Sequence, residues 1–251
     1  KKLVISESST VRQACEFYFN TPAYLSVSWQ SQKDYYAAMI HACNTPIQNN
    51  KLFGNVKLKH VKFKHATYLY DTWLADKGVR RSNYHATCMS IVFNTAIRHE
   101  AMVSNPMSLI KRSKPHARKV KWSEQQVKLF LDTAFSQYRW RSIGLIFHMS
   151  YEWGQRLGDM RNLQWSNINF EDKKLDLEQS KRRADVHLPI GDDLLKQLQV
   201  QHSDFHTLSD CVAPRVYPRN GKYSTYKMAE ISGLVNEVKE ESGLPKELWG
   251  M

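Results

Sequence analysis

Carboxylates are scarce at one end of this sequence: residues 1–121 hold only 6 Asp and Glu against 19 Lys and Arg. Residues 122–251 hold 18 against 17, so the formal charge of +12 divides as +13 and −1. Such one-sided positive charge excludes a simple acidic or neutral scaffold and points to a polyanionic partner, nucleic acid first and an anionic membrane surface second. Cysteine is also sparse. Cys15, Cys43, Cys88 and Cys211 form no C-x-x-C pair and have no His at ligand spacing, which argues against a zinc site or a disulfide framework and for a reducing compartment. Ten Gly and eight Pro among 251 residues, with 42% hydrophobic residues, exclude a fibrous or disordered chain. Long apolar runs are missing too. Nothing approaches the roughly 18 residues a membrane span needs. "KKLVISESST" has too short an apolar core for a signal peptide, and a first residue of Lys in place of Met fits a trimmed chain.

What is present reads as helix up to about residue 105. In "SNYHATCMSIVFNTAIRHE", Tyr84, Thr87, Cys88, Ile91, Val92, Thr95 and Ala96 recur at helical spacing, with Ser82 as N-cap. Weaker patterns cover 28–43 and 64–78, the latter ending at Gly78 as a left-handed cap, and "TVRQACEFYF" completes four helices. Tyr68, Trp73 and Met149 read as core. After "SNPMSLI" breaks the helix, "KRSKPHARKVK" (111–121) carries six basic residues and no acidic one, the composition of an interdomain linker. The expected organisation is a helical domain over 1–110, the linker 111–121 and a second domain over 122–251.

The second domain opens at Ser123 and Gln126, which stand in capping-box positions. A helix over "RWRSIGLIFHMSYEWG" follows, and "NINF", "KLDLEQ" and "ADVHLPI" then predict a small antiparallel sheet with turns at "EDKK" and "SKRR". Helical spacing returns in "GDDLLKQLQVQ" and in "TYKMAEISGLVNEVKEESG", with Gly243 near the end of the latter.

Two residues can carry phosphate chemistry. Arg156, just after Gly154, presents a planar fork that matches two nonbridging phosphate oxygens, and Asp159 can hold that plane. Taken alone, the two read first as a structural pair at i, i+3. Lys181, at a predicted hairpin turn, can donate a proton to a leaving oxygen, or serve with Arg182 and Arg183 as a solvated basic turn. For DNA contacts, "GVRRSNYH" places Arg80, Arg81, Asn83 and His85 at or just before a helix N-terminus, and the linker adds Lys111, Arg112, Lys114, Arg118, Lys119 and Lys121.

Taken together, "GQRLGDMRNLQWSNINFEDKKLDLEQSKRRADVHLPI" resembles the catalytic core of the tyrosine recombinases, the phage integrase family. That pattern runs G-x-R-x-x-E/D, L-x-W-x-D-I, a Q-x-K hairpin and a v-x-l-P-l strand. Arg156, Asp159, Leu163, Trp165, Ile168, Gln179, Lys181, Leu188 and Pro189 fall into register. "TAIRHEAMVSNPMSLIKR" is similar to the end of the family's core-binding domain. The resemblance implies a mainly α fold of two domains, a four-helix core-binding domain and a mixed α+β catalytic domain, clamping duplex core-site DNA from opposite sides. It implies that Arg156 holds the scissile phosphate and that Lys181 protonates the 5′ oxygen. A tyrosine would form a 3′-phosphotyrosyl link, with no cofactor, ATP or metal. Partners implied are double-stranded DNA, a homotetramer on that DNA and accessory bending or directionality factors, with no membrane; the setting is the bacterial host cytoplasm if phage-encoded. The sequence departs from the family at the H-x-x-R box, which follows none of the ten histidines. Tyr217, Tyr223 and Tyr226 precede the place for that box and read as core or surface aromatics. The expectation is therefore a catalytic domain truncated at its C-terminus, binding DNA without cleaving it; the alternative is a non-catalytic architectural relative of the same fold.

Overall fold

The computed structural model describes residues 4–47, 50–116, 121–181 and 183–246. The chain divides into two compact units, Lys1–Ala117 and Arg118–Met251, with the boundary inside the basic segment 111–121.

The first unit is helical. Thr10 caps α1 (Val11–Phe19) through a capping box with Gln13, the short α2 (Pro22–Leu25) begins on its proline, and Ser28 caps α3 (Trp29–Asn44). α4 (Phe63–Arg98) is two helical segments meeting at Gly78, whose φ of 72° and ψ of 171° no helix contains. A side chain there would be strained, so glycine is the residue that permits the break. The boundary predicted at Gly78 is therefore present, but Ser82 is not an N-cap. It is buried one turn inside the second segment, its hydroxyl donating back to the Gly78 carbonyl at 2.9 Å.

The buried face of that segment is also shifted from the predicted one. Cys88, Val92, Thr95 and Ala96 are inside as expected, but Tyr84 is exposed, and His85, Met89 and Phe93 take the inner positions. Met89 and Phe93 pack with Trp73, Leu69, Phe53 and Met39 in one core, and His85 lies edge-on to Trp73. Each such side chain withdrawn from water contributes about 2 kcal/mol. Tyr68, expected inside, is exposed, whereas Trp73 and Met149 are buried as predicted. After α4, Asn105 fastens the chain by donating to the Ser90 carbonyl, to Ser90 Oγ and to Asn94, and it accepts from the Met107 amide.

In the second unit, the Ser123–Gln126 capping box opens α5 (Glu124–Ser136) as predicted. α6 (Arg141–Trp153) ends at Gly154, in the left-handed conformation with φ 61° and ψ 20°. The short α7 (Leu157–Arg161) follows. Strands β1 (Ile168–Asn169), β2 (Lys174–Glu178) and β3 (Asp185–Pro189) form an antiparallel meander in the order β1-β2-β3, with Ile168 opposite Leu175 and Leu175 opposite Leu188. α8 (Asp192–Phe205) and α9 (Met228–Glu241) complete the unit around Phe130, Ile143, Ile146, Leu175, Leu194, Leu198 and Val238. The fold is thus mainly α with one small antiparallel sheet. Among the described residues, no helix is long and apolar enough to cross a membrane.

Candidate functional site

Three local features set up the loop that carries Arg156. Gly154 turns the chain out of α6; Arg156 then takes extended backbone angles, φ −66° and ψ 139°, as the N-cap of α7. Its carbonyl accepts the amides of Asp159 and Met160 at 2.9 and 3.1 Å, which fixes the backbone beneath the guanidinium. Trp153 anchors the other side, its indole N–H donating to the Pro189 carbonyl at 3.0 Å and tying the end of α6 to the end of β3.

The side chains then build inward. Asp159 is buried, with its side chain 4% exposed, and Arg156 Nη1 stands 3.7 Å from Asp159 Oδ2 while its own side chain stays 39% exposed. A carboxylate so far from water needs compensation. It has two sources: the guanidinium and the Ser180 hydroxyl, which donates to Asp159 Oδ1. Gln179, the next residue back, accepts from Arg156 Nη1 at 3.5 Å and donates to Gln155 Oε1 at 2.6 Å. Gln155 in turn donates to the Trp153 carbonyl at 3.1 Å. Two consecutive residues of the β2–β3 hairpin, Gln179 and Ser180, thus bind three residues of the arginine loop and α7, Gln155, Arg156 and Asp159, across more than twenty positions of sequence.

Lys181 comes directly after Ser180 in this hairpin. Its backbone is held by the turn, in which the Arg183 amide donates to the Gln179 carbonyl at 2.8 Å and the Gln179 amide to the Ala184 carbonyl at 2.9 Å. Lys181 is exposed and makes no ion pair among the described residues. The result is a semi-exposed guanidinium backed by a buried carboxylate, with an ammonium presented from the neighbouring turn. Such a surface can bind a phosphodiester and deliver a proton to one of its oxygens. Sequence reading singled out Arg156, Asp159 and Lys181 but assigned no role to Gln155 or Ser180; the hydroxyl immediately before Lys181 was the available signal. Beside the loop lies an apolar groove of about 950 Å³, lined by Trp122, Phe130, Phe147, Ile231 and Val235, with Gln155 and Leu157 also in its wall.

The residues expected to contact DNA separate into two groups. Arg80, Arg81, Lys111, Arg112, Lys114 and Lys121 are exposed. Arg112 Nη1 also donates to Thr87 Oγ1 at 2.7 Å. His85 is not a surface residue. It is 8% exposed, stacked on His41 at 4.7 Å and set edge-on to Trp73 at 5.3 Å, because it lies on the inner face of α4. Burial, with the nearby His41, Arg81 and Lys77, lowers its pKa to about 4. Asn83 is occupied internally. It accepts from Tyr70 Oη at 2.7 Å and donates to the Ser113 carbonyl at 2.9 Å, while the Ser113 amide donates to Tyr70 Oη at 2.8 Å. These bonds fix the start of the basic segment to the first unit, so residues 111–113 are not free linker. Arg118 and Lys119 lie outside the described residues. Tyr217 is exposed and Tyr226 buried, the latter with its pKa raised by burial.

The second unit is similar in sequence pattern to the Phage integrase family, whose model matches residues 122–248. A comparison with curated protein sequences gives no match. Solved structures share the fold. A lambda integrase dimer bound to a COC′ core site superposes with a TM-score of 0.76 at 16% identity, covering 95% of this chain and 65% of that one. A lambda integrase tetramer bound to a Holliday junction gives 0.75 at 16% identity, covering 95% and 68%. The Tn1549 transposon integrase with a circular intermediate DNA gives 0.73 at 14% identity, covering 95% and 82%. The chain spans just under two thirds of the length of the first of these. With the family model matched over slightly more than half of its 251 residues, in the unit that carries Arg156, Asp159 and the hairpin, this chain belongs to the phage integrase family.

Proposed function

We propose that this chain is the DNA-clamping and phosphate-holding part of a site-specific tyrosine recombinase of a phage or mobile element. The observation that supports the reading is the β2–β3 hairpin hydrogen-bonded onto the Arg156 loop, with Gln179 on Arg156 and Ser180, the residue before Lys181, on the buried Asp159 carboxylate. Arg156 holds the nonbridging oxygens of the scissile phosphate and stabilises the charge of the pentacoordinate transition state. Asp159 orients it. Lys181 gives its proton to the departing 5′ oxygen as a tyrosine phenolate bonds to phosphorus, leaving a 3′-phosphotyrosyl link that conserves the energy of the broken bond without a cofactor. Arg80, Arg81, Lys111, Arg112, Lys114 and Lys121 supply sequence-independent contacts to duplex phosphates, which accounts for the charge split. His85 and Asn83 have no place among them. The two units correspond to a core-binding domain and a catalytic domain, acting as a homotetramer on paired core sites with accessory bending or directionality factors. DNA complexes of the lambda and Tn1549 integrases, dimeric and tetrameric in the lambda case, support this reading.

One observation favours a narrower role for these 251 residues: no His is followed by Arg at the third position, so the H-x-x-R box of the family is not among them. On that basis the chain binds duplex DNA and does not cleave it. A nicked suicide substrate tests the assignment when the protein expressed from the whole native gene is used. Arg156→Ala should remove covalent trapping by about three orders of magnitude while leaving duplex affinity within a few fold. Undiminished trapping refutes Arg156 as the phosphate holder, and a gene product with no H-x-x-R box and no trapping at all selects the non-catalytic architectural relative.

A further inference from the structure

We propose that Cys15 and Cys43 form a peroxide-responsive dithiol that closes to an intramolecular disulfide between α1 and α3. Both side chains are fully buried, and their Sγ atoms lie 3.7 Å apart, sharing a hydrogen bond. Bond formation needs the sulfurs to approach from 3.7 Å to about 2.05 Å. Cys43 is held from a second direction. A Cβ added to Gly54 would lie 2.9 Å from that of Cys43, so the Phe53–Asn55 turn packs directly on it.

The environment assigns different parts to the two thiols. The hydrogen bond shared with Cys15, with Arg12 nearby, favours the Cys43 thiolate; Arg12 is itself anchored on Asn44 at 2.7 Å. The same interaction pushes Cys15 up, so it keeps its proton until Cys43 has reacted. Cys88 differs, since burial drives its thiol up to about 12. Cys211 belongs to the other unit. Hydrogen peroxide, small enough to enter through local opening of the N-terminal helix, is attacked by the Cys43 thiolate, giving a sulfenic acid and hydroxide. Cys15 sulfur then attacks that sulfur, the S–S bond forms, and the departing hydroxyl leaves as water with the proton from Cys15. In total, two thiols and one peroxide give one disulfide and two waters.

The test uses the chain as it is. The reduced protein is exposed to hydrogen peroxide under native conditions, quenched with catalase, denatured and titrated for thiols. Titratable thiols should fall from four to two. The intact mass should drop by two hydrogens, and a digest should link the Cys15 and Cys43 peptides. The unfolding midpoint of the first unit should rise on the order of 10 °C and return on adding dithiothreitol, because the link closes a long loop. In Cys15→Ser, dimedone should instead trap a sulfenic acid at Cys43; if that variant does not fold, the wild-type readouts decide. Four surviving thiols, oxygen addition at Cys43 with no link, a link through Cys88, or a link that lowers the midpoint would each overturn the proposal.

Discussion

Removing the Asp159 carboxylate should destabilise the second unit by an amount that can be worked from its contacts. Its side chain is 4% exposed and stands 3.7 Å from Arg156 Nη1, where two unit charges attract by roughly 4.5 kcal/mol at an effective dielectric constant of about 20. Arg156 is 39% exposed, so solvent screening reduces the net value to about 1 kcal/mol. The hydrogen bond from Ser180 goes to a charged acceptor and adds about 2 kcal/mol. Asp159→Ala therefore loses about 3 kcal/mol, since it also leaves a hydroxyl without its acceptor. Asp159→Asn keeps an acceptor of the same shape for Ser180 and should lose only about 1 kcal/mol. Urea titration followed by tryptophan fluorescence measures both, with Trp153 reporting next to the loop. If both variants fall within about 0.5 kcal/mol of the parent, or Asn costs as much as Ala, the carboxylate does not organise this loop and the reasoning fails.

The buried His85 makes the first unit acid-sensitive. Its pKa in the fold is about 4 against an ordinary value of 6.5, so the stability is fully present above pH 6.5 and is lost as pH falls toward 4, by about 2 kcal/mol at pH 4.5. Urea midpoints measured across that range should flatten in His85→Gln; an unchanged slope would assign the sensitivity to other groups, His41 first. Duplex affinity should fall steeply with salt, and Arg80→Ala with Arg81→Ala should reduce the slope of log K against log salt by about 2, readable by fluorescence anisotropy from 50 to 200 mM. A slope indifferent to the double substitution would remove these arginines from the interface.

Legibility in the sequence followed the range of the forces involved. The capping box at Ser123, the glycine at 78 and the short extended runs around Leu175 and Leu188 act within a few residues, and they mark real boundaries. His85 shows where that reasoning fails. Its neighbours Arg80 and Arg81 are exposed, so a polar stretch read as surface, yet a helix rotates 100° per residue and turned the imidazole into the core. The Ser82 hydroxyl likewise found the Gly78 carbonyl of its own helix in place of a capping role. At the site, the three charged residues were visible because their spacing is local or motif-like. Gln155 to Gln179 and Asp159 to Ser180 were not, since a contact across more than twenty positions depends on where the sheet meets α7.

The hairpin turn at Lys181 has a kinetic meaning of its own. Backbone bonds from Gln179 to Ala184 and from Arg183 to Gln179 close the turn on either side, and Ser180 is fastened to Asp159, so the main chain has already surrendered its freedom. Lys181 itself is exposed and carries its ammonium on a flexible four-carbon stem. An ammonium confined to the small volume that such a stem sweeps is present at an effective concentration on the order of 1 M, against any group seated at Arg156 within its reach. On the role proposed for Lys181, proton delivery costs little further ordering, because Gln179, Ser180 and Arg183 are already bonded when the chain folds.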